Sequence, residues 1–137
     1  MPVPATRHIV ETTLYVRYAE TDAMGIVHHA NYIVFFEEGR SAYTRQRGSS
    51  YAELEKTGVF LTVVEVGARY VKPSVYGQRL TVRCWIAEIR SRGVTFEYEI
   101  VDTDTGALSM TGFTKHICVD REGRIILIPA LWRIWAE

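Results

Sequence analysis

The sequence lacks any uninterrupted apolar run of the roughly 18 residues that a membrane-spanning helix needs. Its first residues, MPVPATRHIVETT, also lack the apolar core of a secretory signal peptide. We therefore expect a soluble, cytoplasmic protein without a membrane span.

An excess of charge of one sign is missing too, because 16 lysines and arginines balance 16 aspartates and glutamates. A chain without a net field is not expected to bind nucleic acid or an anionic membrane surface. Any anionic ligand must then be bound by a few local cations.

Most catalytic signatures are absent. The chain has no G-x-S-x-G, H-E-x-x-H, G-x-x-x-x-G-K-[ST] or G-x-G-x-x-G motif, and the corresponding hydrolase and nucleotide-binding classes are excluded. Its two cysteines, Cys84 and Cys118, lie far apart in strand-like runs rather than in a C-x-x-C motif. We expect both to be free, buried thiols.

The chain also has no Ser/Gly/Pro-rich linker, internal repeat or low-complexity tract. A length of 137 residues with 47% hydrophobic and 12% aromatic residues is enough for one sizeable core. We therefore predict a single domain over residues 1–137.

The hydrophobic pattern changes period near residue 31. The segment TTLYVRYAET alternates, with Leu14, Val16 and Tyr18 on one face, and predicts a half-buried strand. From Asn31 to about Arg47 the apolar residues cover most of a helix circumference, so this helix is expected to be wrapped by other elements. The segment SSYAELEKTG, with a serine cap and a closing glycine, predicts a second, short helix.

The rest of the chain is predominantly extended. Four strand-like runs, FLTVVEVGARYVKP, RLTVRCWIAEI, VTFEYEIVD and ALSMTGFTKHICVD, end at turn-forming residues. Short turns between them predict an antiparallel meander. The predicted fold is therefore α+β: a five-stranded antiparallel sheet curled around a long central helix, which is the hotdog arrangement.

The segment YVRYAETDAMGIVHHANYIVFFEEGR resembles the signature of the 4-hydroxybenzoyl-CoA-thioesterase-like hotdog family, which includes Tol-Pal-associated acyl-CoA thioesterases. Asp22, Gly25, His29, Asn31 and Tyr32 occupy the positions of the family pattern. The resemblance implies an acyl-CoA thioester hydrolase. Hydrolysis of a thioester by a carboxylate or an activated water requires no metal, and we expect no cofactor. The resemblance also implies a homodimer or homotetramer with active sites between subunits, and a His29 amide that binds the thioester oxygen.

The chemistry of these residue types agrees with that reading. Thioester hydrolysis needs an activated water or a carboxylate nucleophile, and a group that holds the developing oxyanion. A helix start offers unpaired N–H groups and a partial positive charge, which also favours the ionised form of Asp22. Asp22 could act as nucleophile or as general base. Its structural alternative is an ordinary turn or capping residue.

The residues around Asp22 carry further expectations. Gly25 is expected to have a positive φ that folds the loop back toward the helix start. His28 is expected to line the acyl pocket, and Asn31 and Tyr32 to belong to the substrate-binding set. The His29 imidazole could orient Asp22 or a water, or merely pack. We do not expect Asp22, His28 and His29 to bind a metal, because adjacent histidines point in different directions on regular structure and no further well-spaced ligand follows them.

Two other groups of charged residues have competing interpretations. Arg90 and Arg92 flank the turn RSRG and could bind the phosphates of coenzyme A, but a solvated hairpin turn explains them equally well. Glu65 interrupts an apolar strand, and an ion pair with Arg69 on the same face is the favoured explanation.

The sequence leaves open the class of function, the acyl group and the subunit contacts. A hotdog module that binds acyl-CoA without turnover, or a hotdog dehydratase, are alternative functions. The acyl group could be aliphatic, hydroxybenzoyl or dihydroxynaphthoyl. The run FLTVVEVGARYV, apolar on both faces, favours an intersubunit strand, and the tail IPALWRIWAE predicts a short aromatic helix that covers either its own core or another subunit.

Overall fold

Strands and helices follow the changes of hydrophobic period. The computed structural model describes residues 7–135. Its elements, in chain order, are β1 (Val10–Tyr15), α1 (Asn31–Gln46), α2 (Tyr51–Lys56), β2 (Phe60–Tyr70), β3 (Arg79–Ile89), β4 (Gly93–Asp102), β5 (Leu108–Val119) and α3 (Ala130–Ile134). The predicted α+β architecture, with a five-stranded antiparallel sheet packed around a 16-residue helix, is confirmed.

The strand order in the sheet is β1-β3-β4-β5-β2. Strands β3, β4 and β5 form the predicted meander, but the prediction is wrong for β2, which pairs with β5 from Phe60↔Val119 to Tyr70↔Met110. Residues 71–78 cross the ends of β5 and β4 to reach β3, and Ser109 on β5 accepts two backbone hydrogen bonds from this crossover. Alternation in a sequence fixes the face of a residue, and it does not fix the neighbour of a strand.

The main helix packs on the concave face of the sheet. Its buried residues, Tyr32, Phe35, Phe36, Gly39 and Tyr43, recur at helical spacing. The Phe36 ring stacks on Tyr98 of β4, with centroids 4.2 Å apart. Each fully buried aromatic side chain of this kind stabilises the fold by about 2–3 kcal/mol. The circumference of α1 is covered less completely than predicted, because the Val34 side chain on the opposite face is 51% exposed.

Two predicted ends of elements are affected by side-chain hydrogen bonds. The Ser50 hydroxyl accepts the Glu53 N–H at 3.2 Å and caps α2, as predicted. The first strand is shorter than predicted and ends at Tyr15, since the Glu20 carboxylate accepts the Arg17 N–H at 2.6 Å. This bond closes a 3-10 turn over Tyr18–Glu20, which leaves the Tyr18 side chain exposed instead of facing the core.

The aromatic tail and the two cysteines complete the core. Trp132 and Trp135 are buried and pack against each other, and Trp135 contacts the Tyr43 ring of α1. The segment that contains α3 therefore covers the core of the same chain. Cys84 and Cys118 are free and buried, as predicted. Within residues 7–135, no helix combines the length and the apolar character that a membrane crossing requires.

Candidate functional site

The loop between β1 and α1 is a tight turn followed by a short bridge to the β2–β3 crossover. The Asp22 N–H donates to the Ile26 carbonyl at 2.8 Å, and the Gly25 N–H donates to the Asp22 carbonyl at 2.9 Å. Gly25 has a φ of 80°, the positive value expected for it. Ile26 then pairs with Val75, which fixes the loop against the crossover.

The Asp22 carboxylate serves this turn with one oxygen. Its Oδ1 accepts the Met24 N–H at 2.8 Å. Within residues 7–135, Oδ2 has no hydrogen-bond partner. Asp22 is therefore a turn residue, as the structural alternative required, that also leaves one half-buried carboxylate oxygen free for another contact.

The start of α1 is held by hydrogen bonds that link it to the loop before it. The buried Glu20 residue accepts the His28 N–H and the Asn31 side-chain amide at its carbonyl oxygen, both at 2.8 Å. The Asn31 N–H donates to the His28 carbonyl at 2.9 Å, and the Ala30 N–H donates to His28 Nδ1 at 3.2 Å. No acceptor for the His29 N–H lies within the described part of the chain. This is the amide to which the family resemblance assigns binding of the thioester oxygen.

Asp22 and His29 line the same cavity, which has a volume of about 330 Å³. Its walls are mainly apolar, and Asp22 and Lys72 are its charged residues. The complete lining is Asp22, Met24, Ile26, Val27, His29, Tyr32, Tyr70, Val71, Lys72 and Pro73. The loop, the helix start and the end of β2 thus border one space, with Asp22 and His29 in its lining.

Sequence reasoning missed the contribution of β2 to this cavity. The Tyr70 hydroxyl donates to the His29 carbonyl at 2.9 Å, across 41 residues of sequence. Burial, together with the neighbouring Tyr32 hydroxyl, raises the pKa of Tyr70. Lys72 follows on the crossover. No local pattern marks the end of a strand as a neighbour of a loop so far away in sequence, although Pro73 marks where that strand ends.

The other predicted site residues fall into two groups. Gly25, His28 and Asn31 lie beside the cavity and shape its loop, without lining it in this chain. Arg90 and Arg92 line a separate cavity of about 510 Å³ at the β3–β4 turn, together with Lys115. In a single chain, the two arginines and Asp22 are therefore not brought together.

The two adjacent histidines and Glu65 differ from expectation in detail. The His28 and His29 rings stack, with centroids 4.3 Å apart, because both residues lie outside regular helix and strand. Glu65 pairs with Lys115 on β5, at 3.5 Å, instead of with Arg69, because the register places Lys115 directly opposite. Within residues 7–135, no group of three or more potential ligand side chains could hold a metal ion.

Comparisons with known proteins connect this geometry with one family. The model of the thioesterase-like superfamily matches residues 16–135. YneP of Bacillus subtilis (strain 168), whose name carries a provisional acyl-CoA thioesterase assignment, is 42% identical over 115 residues, which cover 84% of this chain and 83% of that protein.

Two solved structures show the same fold at substantial identity. The hypothetical protein TT1821 from Thermus thermophilus has a TM-score of 0.86 and 38% identity, and the match covers 92% of this chain and 96% of that one. DHNA-CoA thioesterase from Staphylococcus aureus has a TM-score of 0.81 and 34% identity, and the match covers 88% of this chain and 79% of that one.

The region matched by the family model contains the loop, the helix start and all of β2 to β5. A relative with 42% identity covers most of the same region. The chain belongs to the thioesterase-like superfamily.

Proposed function

We propose that this protein is an acyl-CoA thioesterase that converts acyl-CoA and water into a free acid and CoA. The observation that carries the proposal is the common, mainly apolar cavity lined by Asp22, whose carboxylate has a free oxygen, and by His29, whose amide has no acceptor. Relatives named as acyl-CoA or DHNA-CoA thioesterases support it. CoA thioesters are made inside cells, so the proposed place of action is the cytoplasm.

The proposed reaction uses groups of this chain at two atoms of the substrate. The His29 N–H donates a hydrogen bond to the thioester oxygen and stabilises the negative charge that develops there. The Asp22 carboxylate either takes a proton from an attacking water or attacks the carbonyl carbon itself, in which case water hydrolyses the resulting anhydride. The carbon–sulfur bond breaks, the CoA thiolate leaves, and it takes up a proton.

The edge strand β2 supports a proposed homodimer or a tetramer built from such dimers. On its outer side β2 has no strand partner in the described residues. Three valines of this strand, Val63, Val64 and Val66, are 41–53% exposed, which is unusual for an edge strand that stays in solvent. We propose that β2 pairs antiparallel with β2 of a second copy around a two-fold axis.

This pairing would bring Arg90 and Arg92 to the partner's Asp22 cavity. In one chain the β3–β4 turn lies level with Thr62, because Gly93 pairs with Ile117 and Ile117 with Thr62. Tyr70, at the Asp22 cavity, is eight residues further along β2, or about 26 Å away. An antiparallel pair of β2 strands places the Thr62 end of one copy beside the Tyr70 end of the other. We therefore propose that the arginines bind phosphates of a CoA molecule whose thioester lies in the partner's cavity.

The test is release of CoA thiol from a panel of short-chain, hydroxybenzoyl and dihydroxynaphthoyl CoA thioesters. Asp22→Asn keeps the size of the side chain and is expected to lower kcat about a thousandfold or more while the protein stays folded. The Tyr32 and Tyr70 rings, 5.5 Å apart, give the cavity aromatic walls, so the panel includes flat and flexible acyl groups.

A matched control exists in the same chain. Asp120 forms the same D-x-x-G turn as Asp22. Its N–H donates to the Arg124 carbonyl oxygen, and its carboxylate accepts the Glu122 N–H. Asp120→Asn is expected to change the turn without changing kcat. Wild-type rates equal to buffer across the panel would contradict hydrolysis and favour a binding module, whereas activity retained in Asp22→Asn would contradict the role of Asp22.

A further inference from the structure

Tyr70 connects the edge strand with the loop that presents the His29 amide. It is the last residue of β2, and its hydroxyl donates to the His29 carbonyl at 2.9 Å. Its ring is 49% exposed and packs against Tyr32 at a centroid distance of 5.5 Å. Both tyrosines line the cavity that contains Asp22. This long-range bond to the loop backbone has no counterpart in the family pattern read from the sequence.

We propose that Tyr70 is a positioning residue that fixes the direction of the His29 amide for the oxyanion. The proposal rests on the proposed thioesterase function. Tyr70 acts through the backbone of the loop rather than on the reacting atoms.

Two planar peptide groups meet at His29, and hydrogen bonds restrain both of them. The His29 N–H belongs to the same rigid plane as the His28 carbonyl, which is held by the Asn31 N–H at 2.9 Å. The next plane carries the His29 carbonyl and the Ala30 N–H, which are held by Tyr70 and by His28 Nδ1. With both planes restrained, rotation about the two backbone bonds of His29 is restrained, and its N–H keeps one direction.

The surroundings of Tyr70 favour this donor role. A phenol keeps its proton at neutral pH, and burial together with the neighbouring Tyr32 raises the pKa of the Tyr70 hydroxyl further, which favours the protonated form that donates to a carbonyl. The strand around Tyr70 is fixed as well, because Tyr70 pairs with Met110 and the Val71 N–H donates to the Ser109 carbonyl at 2.9 Å. The hydroxyl therefore belongs to a rigid strand, and the loop is the part that it restrains.

The experiment compares Tyr70→Phe with Tyr76→Phe. The first keeps the ring that lines the cavity and removes the hydroxyl. The second removes the hydroxyl of a 63% exposed tyrosine that has no hydrogen-bond acceptor in the described residues. Two quantities are measured in each: kcat and KM on the best substrate of the panel, and hydrogen–deuterium exchange of residues 26–33.

In Tyr70→Phe we expect kcat to fall about tenfold or more with KM changed less than about threefold, because orientation is lost and the cavity wall is kept. Exchange of residues 26–33 should rise, and Tyr76→Phe should match the wild type in both. A lower kcat without a change in exchange would overturn positioning in favour of direct substrate contact, and a wild-type kcat would overturn it outright. If the wild type hydrolyses nothing on the panel, the proposed function fails, and the exchange of residues 26–33 still decides whether Tyr70 holds this loop.

Discussion

His116 is a buried imidazole outside the Asp22 cavity, in the lining of the separate cavity that contains Arg90 and Arg92. It is 3% exposed, its Nε2 lies 2.8 Å from the Thr114 hydroxyl, and its Nδ1 has no partner in the described residues. Burial, and secondarily the nearby Arg40 charge, lower its pKa to about 3. The Tyr98 hydroxyl lies 2.6 Å from the same Thr114 hydroxyl. This cluster contains no carboxylate that would stabilise a protonated ring.

A prediction about acid stability follows at this residue. In the unfolded chain His116 takes up a proton near pH 6.5, and in the folded protein only near pH 3. Its contribution to stability is therefore complete above pH 6.5 and is lost as the pH falls toward 3. We expect the free energy of unfolding of the wild type to fall more steeply than that of His116→Gln between these values, by up to about 1.4 kcal/mol per pH unit. Urea unfolding at several pH values measures both slopes, and equal slopes would contradict the assignment.

The role of Asp22 shows what can be predicted from sequence at the scale of one residue. The D-x-x-G turn and the helix start are local features, and both were predicted. The same turn recurs at Asp120, so the turn by itself does not mark a catalytic residue. Asp22 differs from Asp120 because it shares a cavity with Tyr70, at the end of β2, and with Lys72 of the crossover. That neighbour depends on long-range strand pairing, which the local sequence does not encode.

At the scale of elements, glycines set how closely α1 and β2 approach the middle of β5. A Cβ on Gly112 would lie 2.5 Å from the Gly67 carbonyl oxygen and 2.5 Å from the Phe36 ring. A Cβ on Gly67 would instead contact the end of the Phe113 ring. The first position faces backbone and core, whereas the second faces a half-buried side chain that can move.

We therefore expect Gly112→Ala to destabilise the protein by about 1–3 kcal/mol, the usual cost of overpacking. Gly67→Ala should cost less, because Phe113 can rotate away. The comparison uses chemical denaturation of both variants. An equal cost would mean that neither backbone contact nor helix packing limits the approach at Gly112.

The element boundaries were predictable where the signal is local, as at the Ser50 cap and the turns between β3, β4 and β5. The position of β2 was not. Its apolar residues fit any place in a sheet, and the crossover of residues 71–78 has no sequence signature for the strands it passes. The strands and helices were therefore predicted correctly, whereas the strand that pairs with β2 was not.

At the scale of the whole molecule, the proposed dimer predicts that each site combines two copies. Consider a mixed dimer in which one copy carries Asp22→Asn and the other carries Arg90→Gln and Arg92→Gln. One of its two sites would combine the wild-type Asp22 with both wild-type arginines, and the other site would lack all three side chains. With two different purification tags and substrate below KM, we expect about half the wild-type activity, from the one intact site of an isologous pair.

The outcome differs if each chain carries a complete site. The mixed dimer would then have at most half the activity of the double arginine variant. Failure to recover any doubly tagged dimer would contradict the proposed pairing of β2. The two parent variants, measured alone, are the controls for residual activity.

The hydrogen bond between the Tyr70 hydroxyl and the His29 carbonyl also has a consequence for folding. It joins a loop that precedes the main helix to the end of a strand that must first pair with β5, the last strand of the sheet. Such non-local contacts form late, because the entropy of closing long loops is lost before the contacts stabilise the chain. A chain with its helices and the β3–β4–β5 meander in place would still lack the cavity, so hydrolysis reports that the β2 edge of the sheet has formed.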